Sequence, residues 1–464
     1  MRHSSPSLIT IIHRVKARGW GDSTYRKCGR VVESALCLAT RQFDRIPALI
    51  AHLLTLTLLL LNPTSGQAQD YDLRGHIKPQ ATLANIPSNS LLQDFSDDPM
   101  RDIGLDLRLI LTGSKSAWTW RSDYQLLAQQ GDQLKLGQQF PLTGFAAKGL
   151  VDDERRLLDL THRLDDSDER VVLHRLDRLY FGHTTDRTVF KIGRQAVSWG
   201  NGLIYNPVDF FNPFDPAAID TEYKTGDDMI YTQYLLDSGD DLQAVWVARR
   251  DADGDISSEV ASLAIKYHLF SGQRELDLLI AEHYQQRIAA LGGSVDIADA
   301  IWRGDLMLTD TTDDTVTSAV LGWSYSLLAW RHNLTATVEY FHSGFGIDNG
   351  QYDPASLAAN PELLLRLERG ELFTLAQNYL AGAATIELTP LWQLTAGLFG
   401  NLDDDSMLLQ LFSRHDLAQD LQLLLALNLP EGREGSEFGG IESSIDDKPV
   451  AIGASIFAQM AWYF

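Results

Sequence analysis

One pattern limits the fold of this chain more than any other: apolar and polar side chains alternate with a period of two, segment after segment. In Ser318–Ser326, Ala319, Leu321, Trp323 and Tyr325 occupy one face, and Ser318, Val320, Gly322, Ser324 and Ser326 the other. Leu334, Ala336, Val338 and Tyr340 oppose Asn333, Thr335, Thr337 and Glu339, with Trp330-Arg331-His332 as a tight turn between the two segments. Leu263, Ile265, Tyr267 and Leu269 oppose Ser262, Ala264, Lys266 and His268, and Leu276, Leu278 and Ile280 face away from Glu275 and Asp277. Leu380, Ala384, Ile386 and Leu388 lead to a turn at Pro390, after which Trp392, Leu394, Ala396 and Leu398 oppose Gln393, Thr395 and Gly397. Successive side chains of a strand point to opposite faces, so each segment reads as a strand with one apolar and one polar side.

Two architectures use such strands. A soluble sandwich turns the apolar faces inward, whereas a membrane barrel turns them to lipid and keeps polar groups in its lumen. The polar faces here carry Gly, Ser, Thr, Asn and charges, with few large side chains, and Tyr325, Tyr340 and Trp392 lie near strand ends as girdle aromatics do. Short turns alternate with long Asp-rich loops, expected at Val151–Arg170, Asp251–Asp255, Asp310–Asp314, Asp403–Asp405 and Glu431–Lys448. The sequence therefore predicts an all-β fold, a transmembrane antiparallel up-and-down β-barrel of about 16 strands. One short loop helix is expected at Pro361–Arg369, with Asn360 as N-cap and Pro361 as first helical residue, either folded into the lumen or lying over the mouth.

Residues 1–68 differ in kind. They hold nine basic and three acidic residues and both cysteines, Cys28 and Cys37. An apolar run from Ala48 to Leu61, preceded by Arg41 and Arg45, ends at Asn62-Pro63 and a small-residue stretch to Ala68. That is the form of a secretory signal peptide, and too short for a bilayer span. The domain expectation is an N-terminal extension with a cleaved signal peptide over 1–68 and one barrel over 69–464. Of 39 basic and 62 acidic residues, removing nine and three leaves a net charge of −29 and no cysteine. Such acidity excludes nucleic acid as a partner, and the absence of thiols excludes a disulfide framework. The expected location is the outer membrane of a Gram-negative bacterium.

The last residues, Ile456 to Phe464, place Ile456, Ala458, Met460, Trp462 and Phe464 at alternate positions. This resembles the closing strand by which outer-membrane barrels are recognised for assembly, with Met460, Trp462 and Phe464 as its core. The implied partners are outer-membrane lipid and the barrel-assembly machinery.

Residues 190–231 are denser in Gly, Asn, Pro and Asp than a strand permits, with Asn206-Pro207, Asn212-Pro213 and Asp215-Pro216 fixing a turn-rich path after a strand expected over Thr188–Ser198. The stretch resembles porin-like outer-membrane proteins in which a Gly-Arg-Gln strand is followed by Trp-Gly and Asn-Pro-Val-Asp. Gly370–Leu375, Asn401–Asp404 and Ser436–Gly439 look like later blocks of the same family. The resemblance implies a channel, in some relatives linked to export of hydrophobic compounds and so to an inner-membrane exporter, and names no solute. From the residues themselves, Arg194, Asp209, Asp215, Asp220, Glu222, Lys224, Asp227 and Asp228 form a mixed-charge cluster on an ordered loop. They are a candidate constriction, or else a rim whose charges pair with one another. Arg194 shares a face with Phe190 and Ile192, and a bulge at Gly193 would turn it inward. Alternation nominates Lys266, Asp277, Glu339, Glu387 and Gln393 as lumen residues, mostly acidic, which favours cations or neutral solutes.

Sharper chemistry finds less support. Asp251–Glu259 alternates oxygen side chains as a calcium loop does, but Ile256 and Ser262 stand where that loop needs Gly and Glu. His342 and Ser343 are neighbours in a strand and so point to opposite faces, which denies them a shared proton. No cofactor, metal or catalytic set is expected, and the chain is read as no enzyme. The competing reading is a structural or surface-interaction barrel with an occluded lumen, and the third a barrel lipid hydrolase.

Overall fold

The computed structural model describes residues 70–139, 153–446 and 448–464. The leader expected over 1–68 lies outside them, as do Val151 and Asp152. The first strands are β1 (Asp70–Ala84), β2 (Met100–Lys115), β3 (Trp118–Gly131), β4 (Thr161–Ser167), β5 (Arg170–Thr184) and β6 (Thr188–Gln195). After a long loop come β7 (Asp227–Leu235), β8 (Asp241–Arg250), β9 (Ile256–Ser271), β10 (Arg274–His283), β11 (Gln286–Ile297) and β12 (Ala300–Asp310). They continue as β13 (Thr315–Ala329), β14 (His332–Ser343), β15 (Asn378–Thr389), β16 (Trp392–Asn401), β17 (Met407–Ala418) and β18 (Leu421–Glu431). The short pair β19 (Ile441–Glu442) and β20 (Pro449–Val450) precedes β21 (Ser455–Tyr463). Helices α1 (Asp132–Gln139), α2 (Pro354–Ala358) and α3 (Pro361–Arg369) lie in loops.

Each wall strand pairs antiparallel with the next, and β21 pairs with both β18 and β1, so the sheet closes on itself. Among the described residues β4 joins only β5, and eighteen strands make the ring rather than about 16. The count fell short where charge sits at lumen positions. β5 reads RVVLHRLDRLYFGHT, and a register shift opposite Asp123/Tyr124 breaks its alternation at Asp177.

All the longest connections lie at one end, although β10–β11 also turns there in two residues. At one rim, β2–β3, β9–β10, β11–β12, β13–β14, β15–β16 and β17–β18 are joined by two-residue turns. At the other rim lie the long connections, including 85–99, 132–169, 196–226, 344–377 and 432–454. Three loops expected to be long at that rim are short turns: 251–255, 311–314 and 402–406. The expected 151–170 loop contains β4. On the outer wall Leu276, Leu278 and Ile280 are 42%, 44% and 62% exposed, as lipid-facing side chains are in a protein taken without its lipid. Trp118, Phe181, Phe270, Trp330 and Trp462 are exposed near the short-turn rim, a belt of aromatics at one level.

Helix α3 has the expected bounds, with Pro361 in its first turn and Gly370 closing it at φ +66°. Asn360 makes no side-chain cap; its amide donates back to Ser356 O instead.

Candidate functional site

β6 has eight residues, and at Gln195 the chain leaves the wall. Gly193 allows the departure. Its φ is +123°, and a Cβ there would lie 2.2 Å from Leu179 O. Residues 196–226 then cross the lumen before rejoining the wall at Asp227. The three prolines remove ladder donors and hold the residues before them out of helix, so this stretch cannot continue as strand.

Apolar packing fixes the loop to one side. Val197, Trp199, Phe210 and Phe211 are buried with Met229, Val245, Val247, Ala264 and Leu279 on the inner face of β7–β10. Tyr205 stacks on Phe341 at 4.7 Å and joins Tyr379 and Val320, with Leu363 of α3 above. Each fully buried side chain of this size contributes about 1.5–3 kcal/mol. Polar contacts on the same side satisfy loop backbone. Glu339 accepts from Leu203 N (2.6 Å), Ile204 N (2.9 Å) and Tyr205 N (3.0 Å). Asp305 accepts from Asn201 N and Nδ2 (both 2.7 Å), and Gly292 lets its carboxylate lean across, since a Cβ there would overlap Asp305 Oδ1.

The far side is different. β1, β2, β3 and β5 present His76, Lys78, Arg108, Arg121, Asp123, Gln125, Arg175 and Asp177 to the interior, and the loop meets them through polar groups and the ring of Tyr223. Lys78 Nζ lies 2.7 Å from both Asp220 and Glu222, Gln459 donates to Asp220 (3.1 Å), and Tyr463 OH donates to Glu222 (2.9 Å). Gln410 of β17 donates to Ala217 O (3.0 Å). The Tyr223 ring sits 4.3 Å beneath the Arg108 guanidinium. Burial alone would raise Asp220, but Lys78 outweighs it and holds the carboxyl below its usual range.

The eight residues expected to form one constriction separate into three groups. Asp220 and Glu222 reach the charged wall, as above. Asp209 and Lys224 pair within the loop, where Lys224 Nζ also donates to Val197 O (2.6 Å), tying the outgoing leg to the returning one. Burial is the larger influence on each, pushing the carboxyl up and the ammonium down while their attraction opposes both. Asp215 accepts from Ala217 N (2.9 Å) in a local turn. Arg194, Asp227 and Asp228 belong to the root of the loop. The β5–β6 and β6–β7 registers run unshifted through Arg194, so no bulge turns it inward, and alternation keeps it on the side of Phe190 and Ile192. It is nonetheless fully buried, because segment 153–160 covers it. Its guanidinium bonds Asp228 (2.9 Å) and Asp153 (2.8 Å), and Asp228 accepts from Leu158 N (2.8 Å). Asp227 pairs with Arg249 (2.8 Å). The short β6 leaves an upper edge of β5 unfilled; β4 takes it, and segment 153–160 carries the wall on to β8 through a bridge between Arg156 and Arg249.

Among the expected lumen residues, Lys266 and Asp277 pair at 3.4 Å and Glu339 holds the loop. Glu387 and Gln393 oppose each other near the short-turn rim. Lys78, Arg108, Arg175 and Tyr223 were missed. The signal for Arg108 was the run of charged and polar side chains on one face at Asp102, Asp106, Arg108 and, on the next strand, Arg121, Asp123, Gln125.

The three later motif blocks meet at one place above the apolar side. Glu437 accepts from Leu375 N (3.0 Å) and Asn401 Nδ2 (2.8 Å), and its own N–H donates to Asp404 (2.8 Å). Burial pushes the Glu437 carboxyl up to about 7.

A serine–histidine–acid chain exists, though not at His342-Ser343. Ser262 Oγ lies 2.7 Å from His283 Nδ1, and His283 Nε2 lies 2.9 Å from Glu371. Arg249 donates to the same Ser262 Oγ at 2.6 Å, and the hydroxyl is enclosed. It fastens the segment after α3 to the wall and offers no face for attack on a substrate. The Asp251–Asp255 turn is closed by Asp251 Oδ1 accepting from Asp253 N and Asp255 N (both 3.0 Å).

No protein-family model matches the chain, and no curated protein does. Solved structures with a similar course include OccAB3 of Acinetobacter baumannii, at 8% identity and a TM-score of 0.49 over 85% of this chain and 99% of that one. A BenF-like porin from Pseudomonas fluorescens Pf-5 gives 11% identity and 0.47 over 86% and 100%. OprB of Pseudomonas putida gives 9% and 0.39 over 85% and 92%. At these values the likeness carries no inference about solute or mechanism.

Proposed function

We propose that the protein is a channel of the bacterial outer membrane for small polar solutes, whose path runs through the charged side of the lumen. The observation that carries this is the lopsided fixing of loop 196–226. Apolar clusters seal it to β7–β16, while hydrogen bonds, ion pairs and the single ring of Tyr223 join it to β1, β2, β17 and β21. Water and solutes can exchange for polar contacts far more readily than for buried aromatic ones. The closed wall, its apolar exterior and its short-turn and long-loop rims support the outer membrane as the site, with long loops outside. Met460 and Trp462 on the closing strand, with Phe464 directly after it, support recognition by the assembly machinery. The alternating donors and acceptors of the charged side suit solutes that carry charge.

The occluded barrel is the second reading, because the Lys78–Asp220 contact reaches the far wall and closes the gap. Planar-bilayer recording separates the two. The channel reading expects steady ion conductance from the purified protein, increased when Lys78 is replaced by Ala. Silence in both the native protein and K78A would leave the occluded barrel.

A further inference from the structure

Four inward side chains lie in one cross-strand row. His76 is directly opposite Arg108, Arg108 opposite Gln125, and Gln125 opposite Arg175. All four are at least 96% buried. Every one can donate, and several of their nitrogens have no hydrogen-bond partner: both of His76, Nε of Arg108 and Nη1 of Arg175. Buried donors of this kind are ordinarily satisfied, and an open guanidinium edge is costly.

Other contacts hold the row in shape without filling it. Arg108 Nη1 lies 2.7 Å from Asp177, with Asp123 at 3.6 Å, and Arg175 Nη2 lies 3.7 Å from the same Asp177. The two guanidinium groups therefore already converge within reach of a single carboxylate. Gln125 accepts from Arg175 Nε and donates to Asp106, each at 2.9 Å. Asp106 keeps one open oxygen and stands 3.7 Å from His76. Over the row lies Tyr223 of the loop, 4.3 Å from Arg108 and 5.3 Å from the His76 ring.

We propose that this row is a binding site for the carboxylate group of an organic anion, covered by Tyr223 when empty. The carboxylate takes the open edges of Arg108 and Arg175, with His76 as a further donor, and the Tyr223 ring swings aside. A guanidinium edge pairs with carboxylate and phosphate alike, and a carboxylate is favoured here because Arg108 and Arg175 already converge on the carboxylate of Asp177. The site deepens the channel reading, since it would sort solutes along the charged side, but its occupancy is measurable without conduction.

Calorimetric titration of the detergent-solubilised barrel with sodium benzoate is the test, with benzamide and inorganic phosphate as comparison probes. The expected result is saturable one-to-one binding of benzoate and none of benzamide. Arg175→Gln should weaken benzoate by about tenfold or more, the loss of one charge-assisted hydrogen bond. Tyr223→Ala leaves the whole wall in place and should tighten benzoate severalfold, which keeps the test open if R175Q does not assemble. Absence of saturable heat in both the native protein and Y223A would mean that the row holds only water and would overturn the site. Equal affinity for phosphate would overturn the carboxylate assignment, as would unchanged affinity in a folded R175Q barrel. Binding in a protein that passes no current would overturn the channel and leave the site standing.

Discussion

The two sides of the lumen meet the same loop on opposite terms. Against β7–β16 the loop buries Trp199, Tyr205, Phe210 and Phe211; against β1 and β2 it places Asp220, Glu222 and Tyr223 before Lys78 and Arg108. The difference teaches where position comes from and where passage is possible. Apolar contact has no substitute in water and fixes the loop, whereas each polar contact has a solvated alternative of nearly equal free energy.

The root of the loop should yield the largest effect. Arg194→Ala would leave Asp228 buried without its cation and Asp153 with Arg156 alone, costing about 3–5 kcal/mol. Urea unfolding of the refolded barrel would measure it, and a cost below 1 kcal/mol would mean that the root does not rest on this cluster. Next comes pH on the apolar side. Glu437 is raised from 4.5 to about 7, so between those values the folded state holds the extra proton. Stability should therefore fall as pH rises through that window and level off above it, by up to about 3 kcal/mol. Glu437→Gln should abolish that slope in the same unfolding measurement; an unaltered slope would assign it to another group.

Glu339→Ala leaves the amides of Leu203, Ile204 and Tyr205 without their acceptor, a loss of about 1–3 kcal/mol. Hydrogen exchange at those amides should accelerate while Asp220 stays on Lys78. The smallest change in stability belongs to the charged side. Asp220→Asn should cost about 1 kcal/mol or less, because Glu222 remains on Lys78. Its expected effect is a shift of ion selectivity toward anions, and reversal potentials matching the native protein would remove Asp220 from the path.

Much of the wall was legible because period-two alternation is a local property. Leu321, Leu276 and Ile280 face out, and Lys266, Asp277 and Glu339 face in, as their positions alone imply. The loop block was legible as irregular through its prolines. Which of its charges pair with which was not legible, because pairing is set by partners distant in sequence. Lys78 lies 142 residues from Asp220, and Arg194 lies 41 from Asp153. β4 was hidden for a related reason. It is exposed on both faces, so no alternation marks it, and it exists because β6 ends early.

The central claim is that solutes pass beside β1–β3 and not beside β7–β10. Residues 69–464 contain no cysteine, so single cysteines can be placed on either side of the native protein. Thr82→Cys and Ala264→Cys, each treated with a charged methanethiosulfonate during single-channel recording, test the claim most directly. The account predicts a stepwise fall in current for T82C and none for A264C. A fall for A264C with T82C unaffected would contradict it.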